Sequence, residues 1–253
     1  MISKSQISFV KSLHNKKYRE EHGLFIVEGV KMVNELLASS FIIQSIFTTE
    51  NYLKNLTNIN PKAKKIDVNL VTEPELQKIS TLQTPNEVIA LAQIPFDFRK
   101  NHFDIAQIKD KWTIMLDDVQ DPGNLGTIIR IADWFGIKTL ITSLNSVEAY
   151  NPKVVQSTMG SIFRVEVLRI DIEQILQAAK VPVYGALLEG DNLYKAEFSK
   201  PGVILMGNES KGISDRIRKY ITAPLSIPSF GQAESLNVGI ATAIFCSEMR
   251  RRQ

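Results

Sequence analysis

The chain has 253 residues, with 30 Lys and Arg against 27 Asp and Glu, a formal charge of +3. Apolar residues make up 44% and charged residues 23%, ordinary globular usage that excludes disorder as the general state. There is no apolar run of the ~20 residues a membrane span needs and no apolar stretch of the secretory-signal kind. The single cysteine, Cys246, excludes an internal disulfide or a cysteine metal cage. A cytoplasmic protein without membrane or metal partners is expected.

Taken in chain order, residues 7–18 place apolar or aromatic side chains at 7, 9, 10, 13 and 18, which predicts a helix carrying Lys11, Lys16 and Lys17. Residues 24–28 (Leu-Phe-Ile-Val-Glu) read as a strand, and after Gly29 residues 30–38 form a helix with Val33, Leu36 and Leu37 inward. Residues 41–48 are β-rich, 73–79 a short helix and 87–92 a strand. Residues 95–111 break the pattern and carry charges, so the domains are placed at 1–97 and 112–253 with a linker at 98–111.

The second part starts with a strand at 112–116 and a helix at 124–135, where Ile128, Ile131 and Phe135 repeat at helical spacing. A strand at 139–141, a helix at 172–179 and strands at 183–187 and 203–206 follow. A short helix at 214–220, capped by Ser214 or Asp215, leads to an extended stretch at 223–227. The alternation predicts an α/β fold with a largely parallel sheet. The final helix, 235–251, is apolar nearly all round: Leu236, Ile240 and Ile244 form one stripe, and Val238, Ala241, Phe245 and Met249 another. It should be buried on two sides, inside the monomer or against a partner subunit.

Charge is unevenly spread. Residues 1–65 hold ten basic against five acidic residues, whereas residues 112–253 hold fifteen of each. A basic segment joined to a neutral one suits an RNA-docking module beside a catalytic one; solvated surface lysines would give the same excess. His14, His22 and His102 are scattered and read as surface residues, and Cys246 as a small buried hydrophobe.

Three glycine-containing turns follow predicted strands. Asp117-Asp118-Val119-Gln120-Asp121-Pro122-Gly123-Asn124-Leu125-Gly126-Thr127-Ile128-Ile129-Arg130 turns through Pro-Gly into a helix whose first N–H groups can bind a phosphate. Asn124 lies at or beside the N-cap. Arg130 is about 240° further round and does not share its face. Gly207-Asn208-Glu209-Ser210-Lys211-Gly212-Ile213-Ser214 nearly scans as a phosphate loop, but Ile213 stands where the lysine is required, which excludes nucleotide hydrolysis. No G-x-G-x-x-G supports a dinucleotide site. In Ile227-Pro228-Ser229-Phe230-Gly231-Gln232-Ala233-Glu234-Ser235-Leu236-Asn237-Val238, capping would explain Ser235 but not Asn237, two positions into the predicted helix.

Together, in this order, the three turns closely resemble the motifs of the SpoU/TrmH-type RNA ribose 2′-O-methyltransferases of the SPOUT superfamily, over about residues 112–252. Residues 153–163 also resemble that family's mid-domain segment. More loosely, Lys16-Lys17-Tyr18-Arg19 and Phe25-Ile26-Val27-Glu28-Gly29 resemble the RNA substrate-binding domain that precedes it in many members.

The resemblance implies a SPOUT α/β domain with a mostly parallel sheet and a deep trefoil knot, which periodicity alone would never support. It implies a smaller α/β RNA-binding domain in front, a homodimer through the C-terminal domain, and S-adenosylmethionine as cofactor. It assigns Asn124, Arg130, Glu209, Ser235 and Asn237 to the active site and Leu187, Gly207, Ile227 and Leu236 to the cofactor. Lys11, Lys16, Lys17 and Arg19 are the expected RNA-binding cations. Arg130 is proposed in the family as the base; since guanidinium normally stays protonated, a phosphate clamp is the alternative. The implied activity is methylation of a ribose 2′-hydroxyl in structured RNA, with ribosomal RNA favoured over tRNA. A non-catalytic RNA-binding or ribosome-assembly factor is the competing reading.

Overall fold

The computed structural model describes residues 2–59, 66–84, 87–95 and 104–252. His102, residues 98–103 of the expected linker, and Lys62, Lys64 and Lys65 of the basic excess lie outside them. The elements in chain order are α1 (Lys4–Ser12), α2 (Lys16–His22), β1 (Leu24–Glu28), α3 (Val30–Ala38), β2 (Ile43–Thr48), α4 (Glu50–Ile59), β3 (Asp67–Leu70), α5 (Glu73–Ile79), β4 (Val88–Gln93), β5 (Thr113–Leu116), α6 (Pro122–Trp134), β6 (Thr139–Thr142), α7 (Pro152–Ser157), β7 (Glu166–Arg169), α8 (Ile172–Ala179), β8 (Val183–Asn192), β9 (Val203–Met206), α9 (Asp215–Arg218), β10 (Ala223–Ser226) and α10 (Val238–Arg251). They form two compact units, Met1–Phe96 with Tyr150–Phe163, and Asp97–Ala149 with Arg164–Gln253.

In the first unit a four-stranded sheet has the order β1-β4-β2-β3. Only β2 and β3 pair in parallel. Alternate strand residues supply one core: Leu24, Ile26, Phe47, Ile89 and Leu91 meet Val10 and Leu13 of the N-terminal helices and Leu76 and Ile79 of α5. The helix expected over 7–18 is two helices. The Asn15 side chain accepts the Lys17 N–H and caps α2, so the chain turns where periodicity alone would continue it. Residues 150–163, expected inside the second domain, cluster with this unit. Tyr150 packs on Phe25 at 4.7 Å and Phe163 on Phe41 at 5.3 Å between ring centroids.

The second unit holds a six-stranded sheet, order β10-β8-β9-β5-β6-β7, parallel throughout. β5, β6 and β9 are buried along their whole length, as a parallel sheet requires. The chain begins at β5 and winds first through β6 and β7, then through β8, β9 and β10 on the other side. The order therefore reverses between β5 and β9, the place where open α/β sheets bind ligands at strand carboxyl ends. Pairing of β8 with β10 jumps from Gly185–Pro224 to Asp191–Leu225, so residues 186–190 bulge. The strand therefore runs beyond 187, to Asn192.

Two helix starts differ from expectation. Asp121, not Asn124, caps α6: its carboxylate accepts the Asn124 N–H at 2.8 Å, with Pro122 at the first helical position. The last helix begins at Val238 rather than 235, and its cap is Asn237 rather than Ser235. α6 and α10 lie side by side and run in the same direction. At one end a Cβ on Gly239 would stand 3.2 Å from Thr127 Cγ2. At the other, Arg250 Nε donates to the Phe135 carbonyl at 2.8 Å, closing the end of α6. α10 buries Val238, Thr242, Phe245, Cys246 and Met249, but Ile240 is 54% exposed, so the chain itself covers one side only. Among the described residues no helix is long and apolar enough to cross a membrane.

Candidate active site

The three glycine-containing turns leave the carboxyl ends of β5, β9 and β10. The turn after β9 is tightly fixed. Asn208 and Gly212 exchange backbone hydrogen bonds of 3.0 and 2.9 Å. Asn208 Oδ1 accepts from the Ser210 and Lys211 N–H groups, and its Nδ2 donates to the Asp118 carbonyl at 2.8 Å. The buried Asp117 carboxylate accepts the Ser214 N–H at 2.9 Å. Gly207 admits no side chain: a Cβ there would stand 2.2 Å from the Gly212 carbonyl carbon. Asp117 and Asn208 thus tie the first turn to the second. Sequence reasoning passed over both; the signal was a carboxylate directly after the apolar strand 113–116, and an asparagine between Gly207 and Glu209.

These restraints hold Glu209 over the start of α6. Its Oε1 accepts from Asn124 Nδ2 at 2.8 Å, and Asn124 Oδ1 accepts from Asn237 Nδ2 at 2.8 Å. Asn237 Oδ1 accepts the Gly239 and Ile240 N–H groups at 2.9 and 3.3 Å. One residue from each turn therefore joins a single hydrogen-bonded chain at the sheet's ligand-binding end. Arg130 lies farther along α6, exposed; among the described residues its guanidinium makes no hydrogen bond or ion pair. Ser235 is exposed in the stretch before α10 and is not joined to that chain.

The expected cofactor positions also sit at neighbouring strand ends. Leu187 lies in the β8 bulge, Gly207 directly after β9 and Ile227 directly after β10; Leu236 precedes α10. Leu187 and Ile227 are half-buried, and Leu236 is 48% exposed. Among the described residues, the main chain of 227–236 makes no main-chain hydrogen bond, which leaves N–H and C=O groups beside apolar side chains. That donor and acceptor set fits a flat purine, read at its edges by backbone and packed on its faces by aliphatic side chains.

The expected RNA-binding cations lie in the first unit. Lys11, Lys16 and Lys17 are exposed, with Lys16 3.7 Å from Glu20. Arg19 is not: it is 1% exposed, and its Nη1 donates to the Leu13 carbonyl at 2.8 Å. Its charge is spent on the turn between α1 and α2, where the carbonyl would otherwise lack a donor, so it does not face solvent.

Residues 111–247 match the SpoU rRNA Methylase family, and residues 4–90 match the MRM3-like substrate binding domain. This chain belongs to the SpoU rRNA Methylase family. It is 31% identical over 245 residues to the 23S rRNA (guanosine(2553)-2'-O)-methyltransferase RlmP of Bacillus subtilis, covering 95% of this chain and 94% of that one. Among solved structures, a TrmH-family protein from Porphyromonas gingivalis matches with a TM-score of 0.87 at 37% identity over 100% of both chains. The AdoMet-bound rRNA methyltransferase from Sinorhizobium meliloti matches with a TM-score of 0.86 at 30% identity, over 99% of this chain and 97% of that one. Membership of the SpoU family fits the parallel sheet and the placement of the three turns.

Proposed function

We propose that this protein is an S-adenosylmethionine-dependent methyltransferase acting on a ribose 2′-hydroxyl of ribosomal RNA. The observation that carries the reading is the chain Glu209–Asn124–Asn237, drawn from all three turns, with the exposed Arg130 on the helix that bears Asn124. The main chain around Leu187, Gly207, Ile227 and Leu236 would hold S-adenosylmethionine, which when bound would supply an electrophilic methyl group. In-line transfer requires the 2′-oxygen to be fixed along the axis of the methyl–sulfur bond that breaks, and the hydroxyl proton passes to solvent water as the oxygen–methyl bond forms. Arg130 provides the positioning by gripping an RNA phosphate through two parallel N–H bonds. Asn237 orients Asn124, whose Nδ2 fixes the Glu209 carboxylate, and Ser235, exposed before α10, meets the substrate.

In this reading residues 1–97 dock the RNA and residues 112–253, which carry the trefoil knot, catalyse. A homodimer in the cytoplasm completes the site. Support for the dimer is the uncovered side of α10: Ile240 on it, Leu236 just before it and Trp134 on α6 at 85% exposure are apolar groups that a second copy would shield.

Arg130→Ala tests the assignment. Calorimetric titration should show S-adenosylmethionine bound as in the wild type, while methyl transfer to ribosomal RNA from cells lacking the protein falls about 100-fold or more. Undiminished transfer would remove Arg130 from the site. Transfer to tRNA alone would move the substrate to tRNA, and absence of cofactor binding by the wild type would favour a non-catalytic RNA-binding factor.

A further inference from the structure

The first unit carries a ladder of aromatic rings that the methylation chemistry does not use. Phe9 is half-buried on α1 and packs against the core beside Val10 and Leu13. The His22 ring stands edge-on to it, 5.1 Å between centroids at 67°. Tyr18, one helical turn before His22 on α2, lies parallel to it, 6.4 Å away and 12° from coplanar orientation. Tyr18 is 38% exposed, His22 is exposed, and Lys17 Nζ lies 5.7 Å from the Tyr18 ring centroid. Lys11 and Lys16 are exposed on the same two helices.

The ladder is rigid for identifiable reasons. Arg19, buried between the helices, bonds the Leu13 carbonyl and locks α2 against α1. Gly23 ends α2 in the left-handed region at φ 65°, one residue after His22. Solvent-facing rings anchored in a core and flanked by cations match the surface of an unpaired nucleotide. The base stacks on the ring, and the ammonium groups meet the phosphates on either side.

We propose that Tyr18 and His22 form a stacking platform for an unpaired base of the RNA substrate, with Lys17, Lys16 and Lys11 tracking its backbone. The proposal rests on the RNA-methyltransferase reading above, and adds that the first unit grips a single-stranded element. Sequence-tolerant stacking explains why one small unit can hold a structured RNA without a dense basic face.

The test uses the full-length protein and ribosomal RNA isolated from cells lacking it. Tyr18→Ala combined with His22→Ala should raise KM for the RNA roughly 5- to 150-fold, the range expected for losing one stacked base. The effect should fall on KM and not on kcat, with the dissociation constant for S-adenosylmethionine unchanged. Tyr18→Phe, which keeps the ring, should retain the wild-type KM, whereas Tyr18→Leu should not. Active wild type with an unchanged KM in the double variant would overturn the platform and leave the methyltransferase reading standing. No transfer to RNA by the wild type would overturn both.

Discussion

Asn237 accepts the first N–H groups of α10 through Oδ1 and donates through Nδ2 to Asn124 Oδ1 at 2.8 Å. The two roles fix each other. Helix N–H groups can only donate, so the atom facing them must be the amide oxygen, and the amino group must point to Asn124. That makes the Asn124 oxygen an acceptor and turns its amino group to Glu209, 2.8 Å away. The polarity of the whole chain is set by the start of one helix, and the carboxylate at its far end receives a donor it need not compete for.

Asp at position 237 separates these roles. An aspartate caps a helix as well as asparagine does but cannot donate to Asn124. Asn237→Asp should keep stability within about 0.5 kcal/mol while lowering kcat/KM about 100-fold. Asn237→Ala should lose the activity and about 1 kcal/mol of stability as well. Thermal melting beside a methyl-transfer assay distinguishes the two.

The same pair shows how far the sequence could be read. Gly-Asn-Glu and Glu-Ser-Leu-Asn stand plainly in the chain, and the strands at 113–116 and 203–206 are visible as apolar runs. Ser235 looked like the cap because it opens an apolar run. The true cap lies at Asn237 because Gly239 lets α10 approach Thr127, a tertiary contact that periodicity does not encode. Arg19 looked like a surface cation for a similar reason: its partner, the Leu13 carbonyl, becomes a neighbour only after Asn15 breaks the helix.

Gly207 and Gly212 predict opposite kinds of damage. Gly207→Ala drives a methyl into the Gly212 backbone and should cost about 3 kcal/mol together with cofactor binding. Gly212 sits at φ +70° with open space around it, so Gly212→Ala should cost only about 1 kcal/mol of left-handed strain. Chemical denaturation of both variants measures the difference.

Removing residues 1–95 should not leave a soluble catalytic half. Tyr150 and Phe163 would lose Phe25 and Phe41, and Val154 and Val155, buried in the whole chain, belong to the same compact unit. The expected result is aggregation or a large fall in melting temperature relative to the full chain; an equally stable fragment would show that 150–163 holds its place alone.

Acid should weaken the fold through two carboxylates. Hydrogen bonding by Lys219 holds Glu173 below its ordinary 4.5, and hydrogen bonding by Arg251, then Arg252, does the same for Glu248. A folded-state pKa below the unfolded one adds stability that is present above the unfolded value and lost as pH falls through the folded one. The melting temperature should therefore hold near neutrality and decline below about pH 4.5, with a smaller decline in Glu248→Gln.

The most direct test is a map of ribose methylation across ribosomal RNA from cells with and without this protein. One 2′-O-methyl group should be present in the first, absent in the second, and restored by the wild-type chain but not by Arg130→Ala. Identical ribose methylation in the two RNAs would contradict the account.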